Sequence, residues 1–198
     1  PLRFHTPGHK GLLDALDITE LELADMGSTT SYVPAAEKMT AQYYSANYTH
    51  YLISGTTSGI LTLISALPKG RIIVGRASHK SIFNGCLLSG IEPLIIENEI
   101  VEDISLPLSA EAIEKALLAN PDVEAVFLTS PNYYGQNADL KAIKNIIGDR
   151  YLIVDAAHGA HFGASPLLPE NATMYSDACV LSAHKTLPAF TQSAYLNV

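Results

Sequence analysis

ADLKAIKNIIGDRYLIVDAAHGAHFG, Ala138 to Gly163, holds the pattern that decides the fold. Leu140, Ile143 and Ile147 recur at helical spacing on one side, Gly148 supplies the exit, and Tyr151 to Val154 is then apolar without a break until Asp155. A helix that hands over to a short, continuously apolar strand is the repeating unit of a parallel sheet whose two faces are both covered. The same punctuation recurs along the chain. THYLIS (49–54), RIIVG (71–75), EPLIIE (92–97), EAVFLTS (124–130) and DACVLS (177–182) read as buried strands, too short for helices and rich in Ile and Val. SAEAIEKALLAN (109–120) reads as an amphipathic helix, with an imperfect capping box at Ser109, a shared face of Ile113, Ala116 and Leu117, and a stop at Asn120-Pro121. The expected class is α/β, with three layers (α/β/α) around a mostly parallel sheet. Ligands in such a sheet gather at the carboxyl ends of the strands.

Composition narrows the partners. At 198 residues the chain holds one full-sized domain or a large piece of something bigger. It is 47% hydrophobic and 16% charged, which is a globular balance. Twelve basic against twenty acidic side chains give a formal charge of −8, which works against nucleic acid and against anionic membrane as partners. Cys86 and Cys179 sit in apolar contexts without metal or redox spacing, so a reduced, cytoplasmic setting is expected. No apolar run is long enough to cross a bilayer. The chain opens on Pro1 and closes in the apolar, strand-like SAYLNV (193–198), and residues 1–198 are expected to form the front part of a longer enzyme, one incomplete domain.

The polar residues at the strand ends carry the chemistry. SGTTSGI (54–60) joins a strand to a helix-like run with two glycines and four hydroxyl residues. Such a turn offers backbone N–H groups and the positive end of a helix dipole to a phosphate, or serves as a plain helix cap. In DAAHGAHFG (155–163) the aspartate ends a buried strand, where it must meet a cation or several donors. His158 and His161 follow it, as loop histidines or as part of a metal site with Asp155 that nearby spacing leaves short of ligands. His79 heads a helix in RASHKSIFNG (76–85). In LSAHKTLPAFTQ (181–192), Lys185 stands behind Ser182 and His184 at a strand end. A surface lysine needs no such setting, whereas a nucleophilic one must lose its proton near neutral pH and meet a partner in fixed register.

A phosphate cradle, a strand-end aspartate and a lysine thirty positions later are what a pyridoxal phosphate enzyme requires. In FHTPGHKG (4–11), SGTTSGI, ASHKS (77–81), VDAAHGAHF (154–162) and SAHKTLPAFTQ (182–192), the chain resembles the Orn/Lys/Arg decarboxylases. These are basic-amino-acid decarboxylases of the aspartate aminotransferase fold, the fold type I large domain. The resemblance implies that Lys185 carries pyridoxal 5'-phosphate as a Schiff base. Ser182 and His184 would reach the phosphate beside it, and Gly55, Thr56 and Thr57 would hold it from the other side. It further implies that His79 stacks on the pyridine ring, that Asp155 binds the ring nitrogen, and that His158 and Ser130 lie near the ring hydroxyl. No metal is implied. Ala156 departs from the pattern, since many relatives carry an acidic residue after the aspartate.

The implied reaction is decarboxylation of arginine, lysine or ornithine to the amine and carbon dioxide, a reaction of polyamine biosynthesis. A homodimer or larger homo-oligomer is implied as well, with FHTPGHKG near a shared site. Other readings stand beside this one: another fold type I reaction (aminotransferase, aldolase or lyase), or an inactive fragment that acts only in assembly. A serine hydrolase built on Ser58, Asp155 and a later histidine fails on spacing, because GTTSG sets the serine one place too late for a nucleophile elbow.

Overall fold

The computed structural model describes residues 31–198, so FHTPGHKG lies outside the described residues. Seven strands form one sheet: β1 (Thr49–Leu52), β2 (Arg71–Gly75), β3 (Glu92–Ile96), β6 (Val123–Thr129), β7 (Tyr151–Asp155), β8 (Ala178–Leu181) and β9 (Ala194–Asn197). Their order is β1-β9-β8-β7-β6-β2-β3. Strands β8, β7, β6, β2 and β3 pair in parallel, whereas β9 is antiparallel to both of its neighbours. The antiparallel strand follows from its connection. Between β8 and β9 stands only the single turn α6 (Ala183–Thr186), so the chain doubles straight back where a parallel strand needs a longer crossover. A small hairpin, β4 (Ile100–Val101) with β5 (Ile104–Ser105), forms a second sheet.

Helices cover both faces. Successive strand residues point to opposite sides, and the core divides accordingly. Ile73, Val126, Leu128, Leu152, Val154, Cys179 and Leu181 face α4 (Ala110–Ala119), α5 (Leu140–Ile146) and Tyr44 of α1 (Val33–Tyr44). Ile72, Val74, Ala125, Phe127, Ile153 and Val180 face α2 (Gly55–Ala66) and α3 (Lys80–Ser89). This double burial is why the strands read as unbroken apolar runs, and it gives the expected three layers. The caps also match their sequence signals. Ser109 Oγ accepts from the Ala112 amide at 3.2 Å, Asp139 Oδ1 accepts from Ala142 at 2.9 Å, and Gly148 leaves α5 at φ +64°.

Helix α1 has no counterpart in the sequence reading, because only Ala41 and Tyr44 of its twelve residues are buried. Hydrogen bonds hold it instead. The Tyr44 hydroxyl donates to the Ala160 carbonyl at 2.7 Å, and Glu37 Oε1 accepts from the Tyr51 amide of the edge strand β1 at 2.9 Å. The net result is that β1, β2, β6, β7 and β8 all end on one side of the sheet, each leading into a loop or helix that carries a candidate residue.

Phe127 is fully buried in the middle of β6 between two parallel neighbours. Phe127→Ala is expected to lower stability by about 3–5 kcal/mol through lost burial and the cavity left behind. The midpoint of urea denaturation measures this.

Candidate active site

A cavity of about 190 Å³ opens where those strands end. Of the ten residues that sequence reasoning singled out, eight line it: Gly55, Thr56, Thr57, His79, Asp155, His158, His184 and Lys185. They arrive from four strand ends, which is why they are dispersed in sequence and adjacent in space.

On one wall, α2 begins directly at Gly55, so the glycine-threonine turn is the first turn of the helix rather than a loop before it. Gly55 adopts φ +69°, a conformation open to glycine, and its amide donates to the Gln192 carbonyl at 2.8 Å. The first amides of a helix have no partner within it, and at this start Gly55, Thr56 and Thr57 line the cavity. Ser58 is otherwise engaged. Its hydroxyl donates to the Gly55 carbonyl at 2.9 Å, which removes it as an exposed nucleophile.

His79 caps α3, its Nδ1 accepting from the Ser81 amide at 3.3 Å and lying 2.7 Å from the Ser81 hydroxyl. The proton of the neutral ring therefore resides on Nε2, and the ring is held in one orientation. Asp155 ends β7 with 4% of its surface exposed. Its Oδ1 accepts from the Ala157 amide at 3.1 Å. Burial pushes this carboxyl up from the ordinary range, and the Ala157 amide, Lys185 and His79 pull it back only in part. Such a carboxylate calls for a further cation.

Lys185 stands on α6, and burial holds its amine below the usual lysine range against the pull of Asp155. Its Nζ lies 3.3 Å from His158 Nε2. Burial first, then Lys185 and His79, push His158 down to about 4, so the imidazole is neutral at pH 7. Tyr133 packs against that ring at a tilt, with centroids 5.0 Å apart and planes at 54°. A lysine biased toward its free amine, hydrogen-bonded to a neutral imidazole, is equipped for nucleophilic attack.

Two of the ten residues do not line the cavity. Ser130 is turned to the opposite face of the sheet, where its Oγ accepts from the Ala138 amide at 3.1 Å. Alternation along β6 places Thr129 at the cavity instead, and its Oγ1 is buried without a hydrogen-bond partner. Ser182 is wholly buried, and its Oγ also lacks a partner. Buried hydroxyls of this kind are costly unless a ligand or water meets them. His161 packs edge-on against Phe162 away from the cavity. Among the described residues no three His, Cys, Asp or Glu side chains are placed to hold a metal ion. Sequence reasoning missed Asn132, Tyr133 and Gln192, which also line the cavity.

The sequence profile described as Orn/Lys/Arg decarboxylase, major domain, matches residues 8–198. The chain belongs to the Orn/Lys/Arg decarboxylase family. The protein named YaaO of Bacillus subtilis, itself uncharacterized, is 36% identical over 98% of this chain and 45% of its own length. An arginine decarboxylase of Halalkalibacterium halodurans is 33% identical over the whole chain and 45% of its own length. Lysine decarboxylase A of Pseudomonas aeruginosa superposes with a TM-score of 0.74 and 25% identity, covering 85% of this chain and 26% of that one. The chain thus spans about half the length of the curated relatives it matches. The sheet has the topology of pyridoxal phosphate enzymes of fold type I, as in NtdA of Bacillus subtilis with bound cofactor PMP (TM-score 0.68, 21% identity, 91% of this chain and 40% of that one).

The residues of the site fit such a cofactor. A buried carboxylate short of a cation and the positive end of α2, both on the cavity, suit a cationic ring at one end and an anion at the other. A carboxyl raised by burial makes the native state bind a proton more readily than the unfolded chain. Its contribution to stability is therefore present at low pH and lost as pH rises through the folded-state value. In cofactor-free protein, Asp155→Asn is accordingly expected to raise Tm at neutral pH, with the gain shrinking as pH falls from about 8 to about 4. Thermal melts across that range check this, and a variant that melts lower at neutral pH would contradict it.

Proposed function

We propose that this chain is the cofactor-binding part of a decarboxylase that uses pyridoxal 5'-phosphate to convert a basic amino acid, arginine, lysine or ornithine, to its amine and carbon dioxide. The observation that carries the reading is the pairing of a buried, cation-deficient Asp155 with a Lys185 amine biased to its free form in one cavity. When bound, the cofactor supplies an electron sink for the pair left on the α-carbon as carbon dioxide departs.

The residues divide the remaining work. Asp155 holds a proton on the ring nitrogen, because an ionised carboxylate in this dry setting is stabilised by a cation. Lys185 offers the amine that binds the cofactor and, when released from it, a nitrogen that holds or returns a proton at the α-carbon. His158 shares a hydrogen bond with Lys185 and keeps that nitrogen oriented. His79, fixed by Ser81, covers one face of the ring. Thr56, Thr57 and His184, which line the cavity, hold the phosphate between the starts of α2 and α6. Ser130, which is turned away, takes no part, and Thr129 takes its place at the cavity.

Assembly as at least a dimer belongs to the same reading. Ile53 is 75% exposed, Tyr133 74% and Phe190 49%, each within two residues of the cavity lining or part of it, so a second copy would cover apolar surface around the mouth. Both cysteines are free and buried, which suits a reducing, cytoplasmic setting. No helix among the described residues is long and apolar enough to cross a membrane.

Borohydride reduction of the protein with added cofactor, followed by peptide mapping, is expected to place the label on Lys185. A label on Lys10 or Lys80 would overturn the assignment. With a basic amino acid as substrate, Asp155→Asn is expected to leave a folded protein and to lower turnover at least about a hundredfold. Near-normal turnover in that variant would remove Asp155 from the mechanism.

A further inference from the structure

We propose that Gln192 is a phosphate-binding residue, carried on a β-turn that spans the two walls of the cradle. The assignment rests on pyridoxal phosphate being the occupant of the cavity. Four non-glycine residues among those described have positive φ. Three have local reasons: Ser45 ends α1, and Glu102 and Asp103 form the β4–β5 turn. Gln192, at φ +75°, is the third residue of the turn Phe190–Ser193, a position that takes positive φ, and the Ser193 amide closes that turn on the Phe190 carbonyl.

Hydrogen bonds on both sides anchor that turn. The Gln192 carbonyl accepts from Gly55 at the start of α2, and the next carbonyl, of Ser193, accepts from His184 on α6 at 3.3 Å. The Ser193 amide and hydroxyl both donate to the Phe190 carbonyl, at 3.1 and 2.6 Å, which closes the turn around Thr191 and Gln192. Consecutive carbonyls thus tie together the two walls that carry the threonines and the lysine.

The side chain points to more than a strap. A Cβ built on Gly55 would come within 3.0 Å of Gln192 Oε1, so the glutamine amide lies over the first residue of α2 and lines the cavity with Thr56 and Thr57. A primary amide serves both states of such a place. Its oxygen complements the positive end of the helix when no anion is present, and a half-turn of its last bond presents two N–H donors to phosphate oxygens. No purely apolar or acidic side chain of that length does both.

The test titrates the full chain and the variants Gln192→Glu and Gln192→Gly with pyridoxal phosphate and with phosphate-free pyridoxal, followed by absorbance and fixed by borohydride. Glutamate keeps the size, lacks the donors and adds a negative charge. It is expected to weaken pyridoxal phosphate about tenfold or more while leaving pyridoxal unchanged. Glycine keeps the carbonyl and relaxes φ. It is expected to melt no lower than the parent and still to lose affinity for the phosphorylated form selectively. Equal losses for both compounds would make Gln192 a structural strap and overturn the proposal, as would a Gln192→Glu protein that binds pyridoxal phosphate like the parent. If the parent takes up neither compound, the cofactor reading falls and this assignment falls with it. If only the variants match the parent, the cofactor reading stands and this one alone fails.

Discussion

A carboxylate almost wholly removed from water, at the end of the middle strand of a seven-stranded sheet, is the constraint around which this domain is arranged. Burying Asp155 is unfavourable by itself, and one amide hydrogen bond does not offset it. The same dry surroundings that raise the Asp155 carboxyl lower the Lys185 amine. Each is pulled toward its neutral form by burial, and their mutual attraction offsets that only in part. In the proposed holoenzyme a cationic ring nitrogen would resolve the conflict, giving Asp155 its counter-charge and leaving Lys185 free to bond. One physical cause, low local dielectric, therefore prepares both residues.

The sheet order is what lets the cradle close. Because β9 inserts antiparallel between β1 and β8, the segment before it must pass from the end of β8 toward the end of β1. There it meets the start of α2, and the carbonyls of Gln192 and Ser193 engage Gly55 and His184 in succession. Had the chain crossed over to add another parallel strand, these two helix starts would not share a connector. Gly59 tightens the same region. A Cβ there would lie 2.7 Å from both Leu52 and Val180, so α2 sits on the sheet at a distance only glycine allows.

The strands and the helices α4 and α5 were legible in the sequence because each buries a regular stripe: Ile113 and Leu117, Leu140 and Ile143, and the unbroken runs at 71–75 and 151–154. Helix α1 was not, since it is held by Glu37 and Tyr44 hydrogen bonds rather than by a stripe. Most of the site was legible for a different reason, namely that polar residues at the ends of apolar strands stand out against their surroundings. The exchange of Ser130 for Thr129 shows the limit. At a strand end, which of two adjacent hydroxyls faces the ligand depends on the parity of the strand, and parity is set by packing that the local sequence does not display. Gln192 was hidden for a topological reason, since only the return of the chain toward β1 brings it over Gly55.

The charge state of the cavity bears on the substrate proposed here. A basic amino acid carries a cationic head group, and a wall with charged Lys185 and His158 would repel it. Burial keeps His158 neutral at pH 7 and biases Lys185 the same way, so the cost of admitting a second cation is reduced. Attraction is another matter. Among the described residues that line the cavity, Asp155 is the only carboxylate, and in the proposed function it serves the ring nitrogen. A carboxylate cannot serve a ring nitrogen and a distant guanidinium or ammonium at once. On the proposed function, the counter-charge that would distinguish arginine from lysine or ornithine then comes from groups beyond this lining.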